Sequence, residues 1–300
     1  MYLEFYQLKR RPFGKTPDPG MLYQSPAHEE ALARMEQAVE DRELMLLTGE
    51  IGSGKTTLSR ALIDRLDEHY RAALIINPRL TPNQLLRTVA VRLGAEEPKY
   101  FRSDLVDQVN GLLYECYEKD VCPVILIDEA QLIPSRETFE EIRLLTNFQL
   151  DEVNLLALIL IGQPELLRRL EHPAYEAFRQ RVGMRFHLPA LDAEGAAAYL
   201  RFRLEKVGGK ASLFDRKAVA AIVRISQGVP RRINNLAGAA LMEGFGRDAR
   251  VITEEIILEV ARDLAMEPQE DQGRPESPDA PPGRAGKGKS PEAAPAEWTD

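Results

Sequence analysis

Short, uninterrupted apolar runs alternate with amphipathic stretches over the first two thirds of the chain. Leu44–Thr48, Ala73–Ile76, Val124–Ile127 and Leu155–Ile161 are continuous rather than alternating, the pattern of strands buried on both faces. Arg185–Leu188 is a fifth, shorter candidate. Helix starts are legible between them. Ser25 and Thr81 each precede a proline suited to the first helical position, and Ser135 precedes the run through Leu145. This alternation predicts βαβ units and a parallel sheet with helices on both faces. After Leu188 the strand pattern stops. Helices are expected over 193–207, 215–226, 231–246 and 254–264, separated by Gly208 and Gly209, by Gly228 to Pro230, and by Arg247 and Asp248. The expected organisation is an α/β domain over 1–190, a small helical domain over 191–266 and a tail over 267–300, with no internal repeat.

Composition sharpens the last boundary. Residues 267–300 hold seven prolines, four glycines, eight acidic and four basic residues, and no Leu, Ile, Val or Phe. Such a segment buries too little apolar surface to offset its ordering entropy, so it reads as disordered, with Trp298 its single large apolar side chain. The tail carries a net charge of −4, half of the −8 of the whole chain, which leaves a folded part only mildly acidic. That balance argues against a generic polycation coating nucleic acid or anionic membrane. Cys116 and Cys122 make no disulfide framework and match no common zinc spacing. The N-terminal stretch, broken by Glu4, is not a signal peptide, and the longest apolar run is far short of the ~20 residues of a spanning helix. These features lead to the expectation of a cytoplasmic protein that meets the inner membrane, if at all, through a partner.

The first candidate chemistry lies directly after the first strand. Gly49 to Thr56 fits G-x4-G-K-[ST] and precedes a helical run, the strand–loop–helix context that the phosphate-binding loop requires. Glycines at 49, 52 and 54 let the backbone wrap with its N–H groups inward around Ser53, and the helix N-terminus adds positive potential near Thr57. Lys55 is placed to reach β- and γ-phosphates, and the Thr56 hydroxyl to complete a Mg²⁺ shell. The second lies at the end of the third strand, where Asp128 and Glu129 follow an apolar run. Asp128 is expected in the Mg²⁺ shell and Glu129 as the group that polarises an attacking water. ATP and Mg²⁺ are the expected cofactors, and Glu129 favours hydrolysis over transfer to a small acceptor.

Beyond these motifs the chain resembles a known family. Gly49–Thr56, the run Asp128 to Gln131, Gly162 to Glu165, Arg179 to Arg181 and Gly228 to Asn234 resemble the AAA+ ATPases. More narrowly they are similar to the ExeA type, the general secretion pathway protein A group. The N-terminal pattern Tyr2, Phe5, Tyr6, Pro12, Phe13, Thr16 to Pro19, Leu22, Tyr23, Ser25, His28, Ala31 and Leu32 is the most specific to that group. The resemblance implies a P-loop AAA+ core, a helical lid, and roles that spacing alone does not supply. Gln163 matches the polar sensor near the γ-phosphate or lytic water. Arg181 matches the arginine finger offered to a neighbouring subunit, with Arg179 and Arg185 as rivals. Arg231 matches the lid's sensor arginine, ahead of Arg232. The N-terminal segment is expected either near the adenine, with Pro17, Leu22 and Tyr23 as wall residues, or packed against the sheet.

Longer members of the group continue into a transmembrane helix and a cell-wall-binding region not found in this sequence, so shorter relatives of exopolysaccharide or exosortase-type export systems are the nearer parallel. The expected function is Mg-dependent ATP hydrolysis by an oligomer, through the Arg181 finger, that drives or regulates an envelope secretion or polysaccharide-export assembly. The alternative is a DNA-binding AAA+ ATPase of the transposition or initiator type. That needs a basic surface, for which Lys9 to Arg11, Arg168 and Arg169, Arg201, Arg203, Arg231 and Arg232 are candidates. A slow nucleotide-dependent scaffold is a third reading. A helicase lacks support, since no second motor core is present.

Overall fold

The computed structural model describes residues 2–14, 19–21, 23–150 and 153–266. The tail, Trp298, Pro17 and Leu22 lie outside the described residues. Five parallel strands form the sheet: β1 (Leu44–Gly49), β2 (Tyr70–Ile75), β3 (Cys122–Ile127), β6 (Ala157–Gly162) and β7 (Val182–Leu188), in the order β2-β3-β6-β1-β7. A short antiparallel pair, β4 (Gln149–Leu150) and β5 (Val153–Asn154), stands apart from it.

The strand positions explain which runs were easy to read. β1, β3 and β6 occupy the middle of the sheet and are buried at every residue, which is why they are continuously apolar. β2 and β7 are the edges. β7 alternates half-buried Val182, Met184 and Phe186 with exposed Gly183, Arg185 and His187, so only its last residues read as apolar. β2 begins at Tyr70 rather than Ala73 and ends before the exposed Ile76. The shift has the same cause, because an edge strand can carry polar residues such as Arg71.

Helices cover both faces. Along β1, Leu44 and Leu46 point into one apolar layer with α4 (Pro82–Arg92), α5 (Arg102–Glu118) and α6 (Arg136–Leu145). Met45 and Leu47 point the other way, toward α2 (Pro26–Glu40) and α3 (Lys55–Arg65). Ser25, Thr81 and Ser135 cap α2, α4 and α6 as their sequence context predicts, Thr81 within a full capping box with Gln84. Two short helices, α7 (Pro164–Glu171) and α8 (Glu176–Arg181), lead from β6 to β7.

The helical region comprises α9 (Ala193–Glu205), α10 (Arg216–Ser226), α11 (Pro230–Gly246) and α12 (Glu254–Asp263) around a core that includes Leu200, Ile222, Leu236 and Ile257. The N-terminal segment, with its short helix α1 (Tyr2–Phe5), belongs to this core and not to the sheet. Tyr6, Leu8, Phe13 and Met21 are buried in it. Tyr6 donates to the Ala249 carbonyl at 2.9 Å, and Arg203 donates to the Pro12 carbonyl at 2.7 Å. The expectation of packing against the sheet is therefore corrected. The aromatic side chains of residues 2–23 find apolar partners on the helices, Tyr23 meeting Tyr199 and Phe202 with ring centroids 5.7 and 5.5 Å away.

Candidate functional site

β1 delivers the chain into the loop at Gly49, and α3 starts at Lys55. Lys55 is 8% exposed, and its Nζ donates to the carbonyls of Gly49 at 2.6 Å and Glu50 at 2.8 Å. The loop is closed from above by α11, where the Arg231 N–H donates to the Gly52 carbonyl at 3.2 Å. A Cβ at position 52 would lie 2.3 Å from the Arg231 Cβ, so only glycine permits that approach.

β3 delivers the acidic pair. Asp128 is 3% exposed and accepts from the Thr56 hydroxyl at 2.8 Å through Oδ2 and from the Glu129 N–H at 2.8 Å through Oδ1. Burial pushes its carboxyl above the usual range, against the lowering by these two donors. Burial likewise pushes the Lys55 ammonium below its usual value, opposed by Glu129, Asp128 and Glu50. Asp128 and Lys55 thus lack full solvation, and bound opposite charge would favour the ionised form of each.

Glu129 adopts a left-handed backbone conformation, φ 53°, which turns its side chain out of the strand direction. Its Oε2 accepts from the side-chain amides of Gln131 and of Gln163, the latter at 3.1 Å. Gln131 closes the network, because its Oε1 accepts from the Gln163 backbone N–H at 3.1 Å. Gln163 sits at the end of β6, immediately before Pro164 opens α7.

These groups border one cavity of about 430 Å³. Gly52, Ser53, Gly54, Lys55, Thr56 and Thr57 line its floor, with Glu129, Gln163 and Arg231 around them. Gly49 and Asp128 stand behind, contacting Lys55 and Thr56. Ser53 is 1% exposed, and within the described residues its Oγ is the buried side-chain polar atom without a hydrogen-bond partner. An orphaned hydroxyl at the floor of a cavity fits a polar ligand there. The far wall holds Met21, Tyr23, Leu191, Tyr199, Arg203 and Asn234, the Tyr199 hydroxyl donating to Asn234 Oδ1 at 3.0 Å.

Of the wall residues expected from the N-terminal segment, Tyr23 is at the cavity. The three arginines of the α8–β7 corner are not. Arg181 is held inside its own chain, donating to the Thr146 hydroxyl at 3.0 Å, the Thr146 carbonyl and Asn154 Oδ1 at 3.3 Å. Arg179 donates to the Glu171 carbonyl, and exposed Arg185 to the Arg179 carbonyl. Arg232 caps α10, donating to the Ile225 carbonyl at 2.8 Å. Four members of the candidate basic surface are engaged internally: Arg232 in this cap, Arg203 on Pro12, Arg10 on the Met21 sulfur, and Arg169 on the Tyr175 hydroxyl and over the Phe139 ring. Gln131, His28, Tyr199, Arg203 and Asn234 had no assigned place in the site. Gln131, His28 and Asn234 stand inside the family patterns without an assigned role. Tyr199 and Arg203 carry no motif and are brought in by the packing of α9.

A family model described as an AAA domain matches residues 37–170. General secretion pathway protein A of Aeromonas hydrophila is 38% identical over 255 residues, 84% of this chain and 46% of that protein. The chain thus spans about half the length of the curated relative it matches. Among solved structures, the Aeropyrum pernix ORC2 protein superimposes with a TM-score of 0.62 at 18% identity, over 85% of this chain and 72% of that one. Drosophila ORC bound to DNA gives a TM-score of 0.65 at 17% identity, over 87% and 66% of the two chains. At these identities the likeness is one of fold: a P-loop sheet followed by helices.

Proposed function

Because the chain belongs to the AAA+ ATPases of the ExeA type, we propose that it binds and hydrolyses ATP in this cavity and couples turnover to an envelope secretion or polysaccharide-export assembly. The observation that carries the hydrolytic part is the Thr56 Oγ1–Asp128 Oδ2 bond of 2.8 Å. It joins the phosphate loop to the acidic strand end and sets Glu129 at the rim of the same cavity.

The residues divide the work. The N-terminus of α3 and the loop N–H groups receive the phosphates, and Lys55 exchanges its loop carbonyls for phosphate oxygens. Arg231, already seated on Gly52, adds positive charge from the helical side. Glu129, steadied by Gln131 and Gln163, orients the attacking water and takes its proton. The Thr56 hydroxyl and Asp128 carboxylate form a hard-oxygen pair that would hold Mg²⁺. When bound, the ion would neutralise phosphate charge. Among the described residues there is no cluster of three or more His, Cys, Asp or Glu that would cage a metal by itself.

The secretion partner rests on the name of the Aeromonas relative. No helix among the described residues is long and apolar enough to cross a membrane. A position at the inner membrane through that partner is part of the same proposal. Assembly into an oligomer through the α8–β7 corner belongs to the same reading, with Arg181 able to act in trans only by releasing Thr146 and Asn154.

ATP turnover by the purified chain is the test. Glu129→Gln should bind ATP as the wild type does while turnover falls by about 100-fold or more, the usual share of a general base. Wild-type turnover in that variant would remove Glu129 from the reaction. Turnover stimulated by DNA, with stimulation falling steeply as salt rises, would move the partner from an export assembly to nucleic acid.

A further inference from the structure

We infer that His28 is a positioning residue for the phosphate loop, holding the Ser53 carbonyl and thereby the direction of the next backbone N–H. The inference rests on the nucleotide reading above and gives a role to a residue of the N-terminal pattern that the reaction itself does not use.

His28 is 5% exposed at the start of α2, with Nε2 3.0 Å from the Ser53 carbonyl oxygen and Nδ1 2.6 Å from Ser25 Oγ. A carbonyl only accepts, so Nε2 carries the proton; Nδ1 of the neutral ring then accepts from the Ser25 hydroxyl. Burial holds the imidazole below its usual value, which favours this neutral ring. Ser25 is also the N-cap of α2, accepting from the His28 N–H at 3.3 Å, so the same hydroxyl starts the helix and orients the ring. α2 in turn is anchored on the sheet through Ala31, Leu32 and Met35. The histidine therefore projects from a rigid element and not from a loop.

The loop is shaped to receive it. Gly54 has φ +110°, and a Cβ there would lie 2.9 Å from His28 Nε2. In a planar trans peptide the C=O and N–H point in opposite directions. Fixing the Ser53 carbonyl on His28 thus turns the Gly54 N–H away from His28, leaving it for a phosphate oxygen. The neighbouring carbonyl of Gly52 is held from the other side by Arg231, so consecutive loop carbonyls are fixed by α2 and α11. A loop fixed at two successive peptides meets its ligand with its donors already aimed, and loses less freedom on binding.

His28→Asn and His28→Gln separate this role from packing. The glutamine amide reaches to about the depth of Nε2, whereas the asparagine amide stops near that of Nδ1. ATP affinity, turnover at saturating ATP and hydrogen–deuterium exchange of the loop amides without nucleotide are measured for both. His28→Asn should weaken ATP binding about fivefold, the effect of one lost hydrogen bond, with saturated turnover little changed and faster exchange at residues 52–56. His28→Gln should return affinity and exchange to near wild type. Equal losses in both variants, or wild-type affinity and exchange in His28→Asn, would overturn the inference. A wild-type chain that binds no ATP would bring down the nucleotide reading instead, and the exchange of the free loop would still decide the role of His28.

Discussion

The two ends of the cavity are built differently. The end proposed to hold phosphates is built from consecutive residues, Gly52 to Thr57, and from the strand end that carries Asp128 and Glu129. Backbone groups and a helix start do much of the work there, so the residue types follow from what the backbone must do. At the opposite end, Met21 and Tyr23 come from the N-terminal segment, Tyr199 and Arg203 from α9, and Asn234 from α11. No two of these segments are adjacent in sequence, and what unites them is a shared apolar core. The first end is set by local geometry and the second by tertiary packing. Substitutions at the first should therefore act on any triphosphate, and those at the second only on a ligand that carries a base.

Lys55→Ala gives the largest expected effect. Each charge-assisted bond from the ammonium to phosphate contributes about 1.5–3 kcal/mol, so affinity should fall on the order of 100-fold. Calorimetric titration with ATP and with inorganic tripolyphosphate should show the same proportional loss for both. Unchanged affinity for both ligands would remove Lys55 from the phosphate site. A loss confined to ATP would erase the distinction between the two ends.

Gln131→Ala probes whether the phosphate end extends beyond its motif residues. Gln131 ties the Glu129 carboxylate to the Gln163 backbone. Its removal should lower saturated turnover about tenfold, since a bond to a charged group contributes roughly 1.5–3 kcal/mol, while ATP affinity stays near wild type. Steady-state rates read beside titrations check this. Equal falls in affinity and turnover would make Gln131 a packing residue of the loop.

Why the ends differ in legibility follows from the same contrast. Lys55, Thr56, Asp128 and Glu129 stand in fixed spacing to strands whose apolar runs are continuous, because those strands are central in the sheet. The edge strands β2 and β7 were read short because one open edge relaxes the demand for apolar residues. The β4–β5 pair escaped notice altogether, being two residues on each side. Arg181 resembles a finger by its place in the chain, and within the chain Thr146 and Asn154 engage its guanidinium through bonds that leave no trace in local sequence. The N-terminal segment has two places open to it from sequence for a related reason. Its aromatic pattern announces burial without naming the surface, and that surface lies far along the chain: Tyr23 meets Tyr199 of α9, Phe13 meets Phe214, and Tyr6 meets Ala249 just beyond α11.

Tyr199→Phe carries the smallest effect and the finest discrimination. The ring stays, so its edge contact with Tyr23 and its place in the helical core are preserved, and only the hydroxyl bond to Asn234 is lost. Asn234 then has an unpaired oxygen and a freer amide at the cavity wall. One neutral hydrogen bond is worth about 1 kcal/mol, so ATP affinity should fall about three- to fivefold. Tripolyphosphate, which carries no nucleoside to meet that wall, should bind as it does to the wild type. The same fall for both ligands would mean that loosening the helical wall travels through Arg231 and Gly52 to the phosphate loop, and that the two ends are mechanically one. A fall for ATP alone would keep them separate, with the helices setting which nucleoside is accepted and the loop setting how tightly its phosphates are held.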